Sequence, residues 1–328
     1  MGLWRIDTDT LARSRFVLSP FAECFASLRL LHAGVAAHPG EEAWLRTHLP
    51  GYRARLAADP VAAPLVSAAL GAAWIADFFC PTSCAGESFE GTVARVRATV
   101  GGRARADLRV SLRGPLPVAL ERDDLPERAA ALLTYVWEAT VRPYWERRRR
   151  ILEADMVART ARVSQGGWAA VLDSLRPGTR WVGESRLQVN PHAYPPREIA
   201  AGAELLFMPV TPRTGWVSWE ERERYAVVYP CLGVLAEDYG QRPVPAGLGA
   251  LVGPARAGLL MLLGTPMSTT QLVAVTGQGL GSVGRHLQVL RGAGLVERRR
   301  AGRSVLYSRT VAGDVVVEAG SRSATCRS

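Results

Sequence analysis

Five histidines and five cysteines are the residues of this 328-residue chain best suited to holding a metal or attacking a substrate. Their spacing serves neither purpose well. His32, His38, His48, His192 and His286 are scattered, with His38 and His48 in loop-like surroundings and His192 in a proline-rich loop. Cys80 and Cys84 form a C-x₃-C pair within CPTSC, a poor zinc spacing that no second pair or histidine cluster supports. The chain has no G-x-S-x-G, no H-E-x-x-H and no P-loop. It is therefore expected not to be an enzyme and to need no cofactor or metal. One motif suggests nucleotide chemistry. Gly279-Leu-Gly281-Ser-Val-Gly284 matches G-x-G-x-x-G, Leu272 to Val275 could be the strand before it, and Glu297 follows Gly279 by 18 residues, near where a ribose-binding acid would sit. Two facts oppose a dinucleotide site. Only 31 residues follow Glu297, too few for the rest of a doubly wound sheet, and Ser268-Thr269-Thr270-Gln271 reads as a helix cap with no strand signal before it.

What remains is the chemistry of arginine. All 40 basic residues are Arg, against 30 acids, for a net charge of +10. The absence of Lys matches the codon bias of a GC-rich genome, so the count alone says little. The distribution says more. Pro254 to Arg309 contains eight Arg and one acid, Glu297, so 8 − 1 = +7 of the +10 sits in this one segment. The elements that must carry these charges can be read in turn. Ser268 is a good N-cap for a helix with Leu272 and Val275 on its apolar stripe. Gly277-Gln278-Gly279 breaks that helix. Leu280, Val283, Leu287 and Leu290 recur at helical spacing, and Gly292 and Gly294 end the second helix. LVERRRAGRSVLYSR then reads as a β-hairpin turning at Ala301-Gly302.

With Val283, Leu287 and Leu290 facing a core, Gly281, Ser282, Arg285, Gln288 and Val289 face outward, at about 100° per residue. Ser282, Arg285 and Gln288 can bond base edges in a major groove. Arg298, Arg299, Arg300 and Arg303 in the hairpin suit phosphates or the minor groove. Gly281 and Gly284 each cost about 1 kcal/mol relative to Ala, so this helix should depend on packing or on DNA for its order.

The run Ser282-Val-Gly-Arg-His286-Leu287-Gln-Val-Leu290-Arg291-Gly-Ala-Gly-Leu-Val296, followed by Gly-Arg-Ser-Val-Leu-Tyr307, resembles the recognition helix and wing of ArsR/SmtB-type winged-helix repressors. The resemblance covers Pro243 to Val317 and implies a winged helix-turn-helix that binds double-stranded DNA as a homodimer. Helix 280–291 would enter the major groove and wing 295–309 would lie on the backbone or minor groove. The residues expected at DNA are Ser268, Thr269, Thr270, Gln271, Ser282, Arg285, His286, Gln288, Arg291, Arg298, Arg299, Arg300, Arg303 and Tyr307. The chain departs from the metal-sensing members. Thr269-Thr270-Gln271 stands where they carry paired cysteines, and Val315-Val316-Val317 where some of them carry acid and histidine ligands, so metal sensing through those sites is not expected.

The rest of the chain reads as mostly α with small antiparallel β: an N-terminal α+β domain followed by the C-terminal winged helix-turn-helix. Residues 1–176 form a helical region, broken at Pro50-Gly51, Pro60 and near Pro143. The texture changes at Pro177, and 177–235 form a small region of three or four antiparallel strands packed on the helices. Residues 236–245 are a linker, 246–319 the winged helix and 320–328 a disordered tail. The run Arg147 to Arg150, with Glu146, Glu153 and Asp155 nearby, reads as a solvated, salt-bridged helix face. No apolar run of 18 residues and no signal-peptide core are present, so the expected setting is cytoplasmic, away from membranes. The helix Val311 to Ala319 is short and contains Gly313, which shifts much of the expected dimer contact onto the N-terminal domain. A small-molecule effector is expected among that domain's Trp and Phe residues. The rival reading is an enzyme, a methyltransferase or another nucleotide-dependent protein, that uses the winged helix only to dimerise. It would need a glycine-rich loop elsewhere, and residues 1–240 show none.

Overall fold

The computed structural model describes residues 2–37, 39–72, 74–192, 194–220, 222–231, 244–264, 266–276, 278–301 and 304–322. The chain divides into two units, one of residues 1–146 with 159–231, the other of residues 147–158 with 232–328.

The first unit begins with strand β1 (Gly2–Arg5), helix α1 (Thr8–Arg13) and strand β2 (Arg15–Phe16). Helices α2 (Pro20–Ala33), α3 (Pro39–Ala57), α4 (Ala62–Ala69), α5 (Phe89–Arg97), α6 (Gly101–Leu112) and α7 (Leu125–Val136) follow. Short polar side chains start several of them. Asp7 accepts the Thr10 amide at 2.8 Å, Ser19 the Ala22 amide at 3.0 Å and Ser88 the Gly91 amide at 3.0 Å, each answering a donor the first turn leaves open. Pro50 does not break α3 as its sequence suggests. It lies inside the helix, where it forfeits a single backbone bond. His48 is therefore helical rather than in a loop. After α7 the chain makes a π-turn (Trp137–Val141) and a 3₁₀ turn (Arg142–Tyr144) around Pro143, then enters α8 (Trp145–Gly166) and α9 (Ala169–Leu172). The middle of α8, residues 147–158, belongs to the second unit. Arg149 pairs with Glu153 at 2.8 Å as the charge run suggests, but Arg148 is buried rather than solvated.

Strands β3 (Arg180–Gly183), β4 (Arg186–Asn190), β5 (Arg197–Glu198), β6 (Glu204–Val210), β7 (Trp216–Glu220) and β8 (Arg224–Pro230) do not form one antiparallel sheet. They form two mixed sheets, ordered β3-β4-β1-β5 and β2-β6-β8-β7. β6 lies parallel to both β2 and β8, and β5 parallel to β1. LLFMPV and YAVVY are nearly continuous apolar runs, buried along almost their whole length, as strands covered on both faces must be. Pro177 is therefore no boundary, because β1 and β2 from the first sixteen residues complete both sheets. Trp4, Ile6, Leu187, Val189, Leu205, Phe207, Val227 and Tyr229 fill one core cluster. Glu23, fully buried on α2, accepts the Thr211 amide at 2.8 Å and the Thr211 hydroxyl, and so ties that helix to the end of β6.

The second unit contains α10 (Ala246–Val252), α11 (Pro254–Leu262), β9 (Met267–Ser268), α12 (Thr269–Thr276), α13 (Leu280–Gly292), β10 (Val296–Ala301), β11 (Ser304–Arg309) and α14 (Val311–Arg322). Its core is Leu248, Leu259, Leu260, Leu263, Met267, Leu272, Val283, Leu287, Leu290 and Val296. The helix expected to stop at Ala319 runs to Arg322, so the tail expected from Gly320 is helical at its start; residues 323–328 lie outside the described residues, as do linker positions 236–243. Gly313 does not shorten α14. A Cβ there would stand 2.2 Å from the Leu295 carbonyl oxygen, so this glycine lets the helix lie against the chain leaving α13. Gly320 does the same against Leu248 of α10, at 2.7 Å. Among the described residues no helix is long and apolar enough to cross a membrane.

Candidate nucleic-acid interface

The interface begins at Ser268. Its hydroxyl accepts the Gln271 amide at 3.2 Å, and the Gln271 side-chain oxygen accepts the Ser268 amide at 2.7 Å. This is a reciprocal capping box, and it satisfies two donors at the start of α12. It also corrects the sequence reading of Gln271, whose side chain is buried and committed to its own helix. Ser268 is committed in the same way, since it also pairs with Leu306 of β11. Of the four residues expected here at DNA, Thr270 is exposed and Thr269 half-buried.

α12 ends at Thr276, whose hydroxyl donates to the Leu272 carbonyl at 2.7 Å and accepts the Gln278 amide at 3.3 Å. Gly277 lies outside the described residues. Gly279 caps α13 in an extended conformation. What precedes Gly279 is thus a helix and a turn, not a strand. The glycine motif lacks the strand that would aim a pyrophosphate at the helix N-terminus, and the dinucleotide reading loses its structural context.

α13 turns three apolar residues inward. Val283, Leu287 and Leu290 are buried, as the spacing requires. Leu280 departs from that reading, being 62% exposed at the first turn. Arg285, Gln288 and Arg291 are exposed, and Ser282 is half-buried. His286 is half-buried, and its Nε2 lies 3.3 Å from the Ser282 hydroxyl one turn earlier. A Cβ at Gly281 or Gly284 would meet nothing within 4 Å, so the outer surface of α13 is bare backbone at both points.

β10 and β11 form an antiparallel hairpin closed by the pair Ala301–Ser304, with β9 on the far side of β11. The register separates the arginines. Arg298 lies opposite Tyr307 and Arg300 opposite Val305, while Arg299 lies opposite Leu306. Because side chains alternate along a strand, Arg298 and Arg300 share a face and Arg299 points to the other. All three are exposed, and Tyr307 is half-buried. Arg303 lies outside the described residues. Among the described residues, no ion pair engages Arg285, Arg291, Arg298, Arg299 or Arg300. Arg309 is different. It pairs with Asp314 at 3.0 Å and lies over Gly264, so it braces the fold.

Helix, turn, helix and basic hairpin occur in one unit, with polar and cationic side chains on the outer face of the second helix. Residues 254–298 match the family model of bacterial regulatory proteins of the arsR family. The C-terminal region carries an ArsR-type helix-turn-helix domain. No curated protein and no solved structure matches the chain. The ArsR-type domain points to DNA binding and to transcription regulation. The match ends inside β10, and residues 1–253 remain unassigned.

Cys80 and Cys84 belong to the first unit. Cys80 is buried, and burial pushes its thiol well above the usual range. Cys84 is half-buried and raised for the same reason. Such thiols are poor nucleophiles. Among the described residues no three His, Cys, Asp or Glu groups converge as a metal site would need.

Two groups of N-terminal aromatics differ in their surroundings. Phe21, Phe25, Phe89 and Trp137 stack in the helical core, and Phe79 meets Phe25 edge to face. Trp4, Trp74, Trp216 and Trp219 instead line a cavity, together with Arg29, Arg176 and Arg197. Residue-by-residue reading missed these arginines, which lie far apart in the chain. The one signal available was that all nine Trp precede residue 220.

Proposed function

We propose that this protein is a DNA-binding transcription regulator and not an enzyme, acting as a cytoplasmic homodimeric repressor through a winged helix-turn-helix. In this reading α13 enters the major groove, with Arg285 and Gln288 on base edges and Ser282, His286, Arg291, Thr269 and Thr270 beside them or on phosphates. The hairpin serves as the wing, and Arg298 and Arg300 neutralise phosphates. Arg303 and Tyr307 belong to the same set. The observation that carries the reading is the outer face of α13. It sets Arg285, Gln288 and Arg291 in solvent, the two arginines without an ion-pair partner among the described residues, on a helix held from behind by Val283, Leu287 and Leu290.

Selection of genomic fragments by the purified full chain tests the reading. A recurrent sequence, bound far more tightly than random DNA at the same salt concentration, is expected. Equal affinity for all fragments would sink it. Repression is tested separately, by whether a reporter behind the selected site is silenced when the protein is present. The enzyme reading would gain from a stoichiometric nucleotide that copurifies with the chain.

A further inference from the structure

The first unit contains a cavity of about 320 Å³ that is partly open to solvent. That is near the lower end of small-molecule sites. One side is aromatic. Trp74 and Trp219 meet edge to face at 5.3 Å, Trp4 meets Trp219 at 6.3 Å, and Arg197 lies 4.2 Å above the Trp219 ring.

Another part of the lining is cationic. Arg29 of α2 lies over Trp216 at 5.5 Å and donates to the Gly215 carbonyl at 3.2 Å. The stem of Arg176 passes the same glycine, with Cδ and Nε 3.4 and 3.5 Å from where a Cβ would stand. The Arg176 Nη1 atom is buried and has no hydrogen-bond partner among the described residues. Burial lowers both guanidinium pKa values, and the charge of Arg29 pulls Arg176 down further, to about 10. Among the described lining residues three arginines stand against one carboxylate, Asp77. Asp77 is itself raised to about 6, first by burial and then by Asp107. Two like charges thus stand half-buried beside one another. Such an arrangement is costly unless an anion completes it.

We infer that this cavity binds a planar organic anion, an aromatic ring bearing a carboxylate, with the carboxylate between Arg29 and Arg176 and the ring against the tryptophans. Each guanidinium presents a planar fork that matches a carboxylate. A phosphate ester suits the site less well, because Asp77 in the same lining would repel a dianion more strongly. The inference does not rest on the DNA-binding reading, and its test uses no DNA.

The test is calorimetric titration of the full chain with 2-naphthoate, its neutral isostere 2-naphthamide and 2-naphthyl phosphate. The acid should bind saturably, at least about tenfold more tightly than the amide, which corresponds to about 1.4 kcal/mol, and more tightly than the phosphate. Arg176→Gln and Arg29→Gln should each abolish most of that preference. Arg176→Gln should also keep or raise the melting temperature of the ligand-free protein, because it removes one of two repelling charges. Asp77→Asn should tighten binding of the acid but not of the amide, a change that a merely structural role would not produce. The inference is overturned if no saturable binding of the acid is seen at millimolar concentration, or if the amide binds as well. It is also overturned if the phosphate binds best, if the arginine variants retain full preference, or if Arg176→Gln melts well below the parent protein.

Discussion

Arg285 lies near the middle of the outer face of α13, with Gln288 close by on the same face and no acid paired to it among the described residues. If it donates both nitrogens to one guanine, Arg285→Ala should cost about 1–3 kcal/mol at the selected site and relax discrimination at that base. Binding of selected and random DNA by the variant decides the matter, since equal losses on both would assign Arg285 to a phosphate instead. Gly284 beside it carries a different expectation. It sits inside the helix and a Cβ there meets nothing within 4 Å, so Gly284→Ala should stabilise the ArsR-type domain by up to about 1 kcal/mol. Urea denaturation would show the gain, and a loss would mean that α13 is not regular at this point. Asp77 adds a pH dependence. Asp77 is exposed but lines the cavity, whose walls partly desolvate its carboxyl, and Asp107 adds repulsion that Arg103, the Trp74 side chain and Arg197 only partly offset. Its carboxyl rises from 3.8 in the unfolded chain to about 6 in the fold. Between those values the folded state binds more protons than the unfolded one, so stability falls as pH rises through this window. Asp77→Asn should therefore melt close to the parent protein at pH near 4 and above it at pH near 7. Parallel melting curves that differ equally at both pH values would show that Asp77 does not titrate there.

The hairpin is the element whose geometry changes the expectation most. Its arginines read in sequence as one cluster, yet the register gives Arg298 and Arg300 one face and Arg299 the other. If the face of Arg298 and Arg300 meets the phosphates, replacing both by Ala should flatten the salt dependence of binding by about two units. Arg299→Ala should then change it far less. The reverse ranking would place the other face on DNA. The same contrast shows what the sequence could reveal. α12, α13 and the hairpin were legible because each is local. Their apolar periods, caps and turn glycines lie within a few residues of one another. The capping box was visible only in half, since Ser268 announces an N-cap but only the structure shows Gln271 folding back to complete it. The mixed sheets were not legible. β2 and β5 have two residues each, too few for any period, and nothing in LLFMPV says that its neighbours are Arg15–Phe16 and the strand after next. The cavity was hidden for the same reason, because Arg29, Arg176 and Arg197 meet only once those sheets have formed.

At the scale of the whole molecule, the proposed homodimer needs a surface that would hold two copies together on a two-fold DNA site. The expectation that the N-terminal unit supplies much of that contact rested on a short C-terminal helix that could bury little. α14 has 12 residues, and its glycines serve close packing on Leu295 and Leu248 rather than weakness. It also leaves apolar surface uncovered. Val311 is 81% exposed and Val315, one turn on, 56%, while Leu251 on the neighbouring α10 is 70% exposed. Such side chains on adjoining helices suit a self-complementary contact, in which the same patch meets its copy. Three side chains fall short of the roughly 800 Å² per partner of a stable interface, so they would share the work with other surfaces. Changing Val315 and Leu251 together to Glu should therefore weaken dimerisation of the full chain at least about tenfold, roughly 1.4 kcal/mol, without lowering its melting temperature in dilute solution. The loss should carry over to DNA, because a monomer reads one half-site where a dimer reads two. Sedimentation over a range of concentrations supplies the measurement. A dimer of unchanged affinity in the double variant would mean that α14 and α10 are spectators, and would return the whole contact to the N-terminal unit.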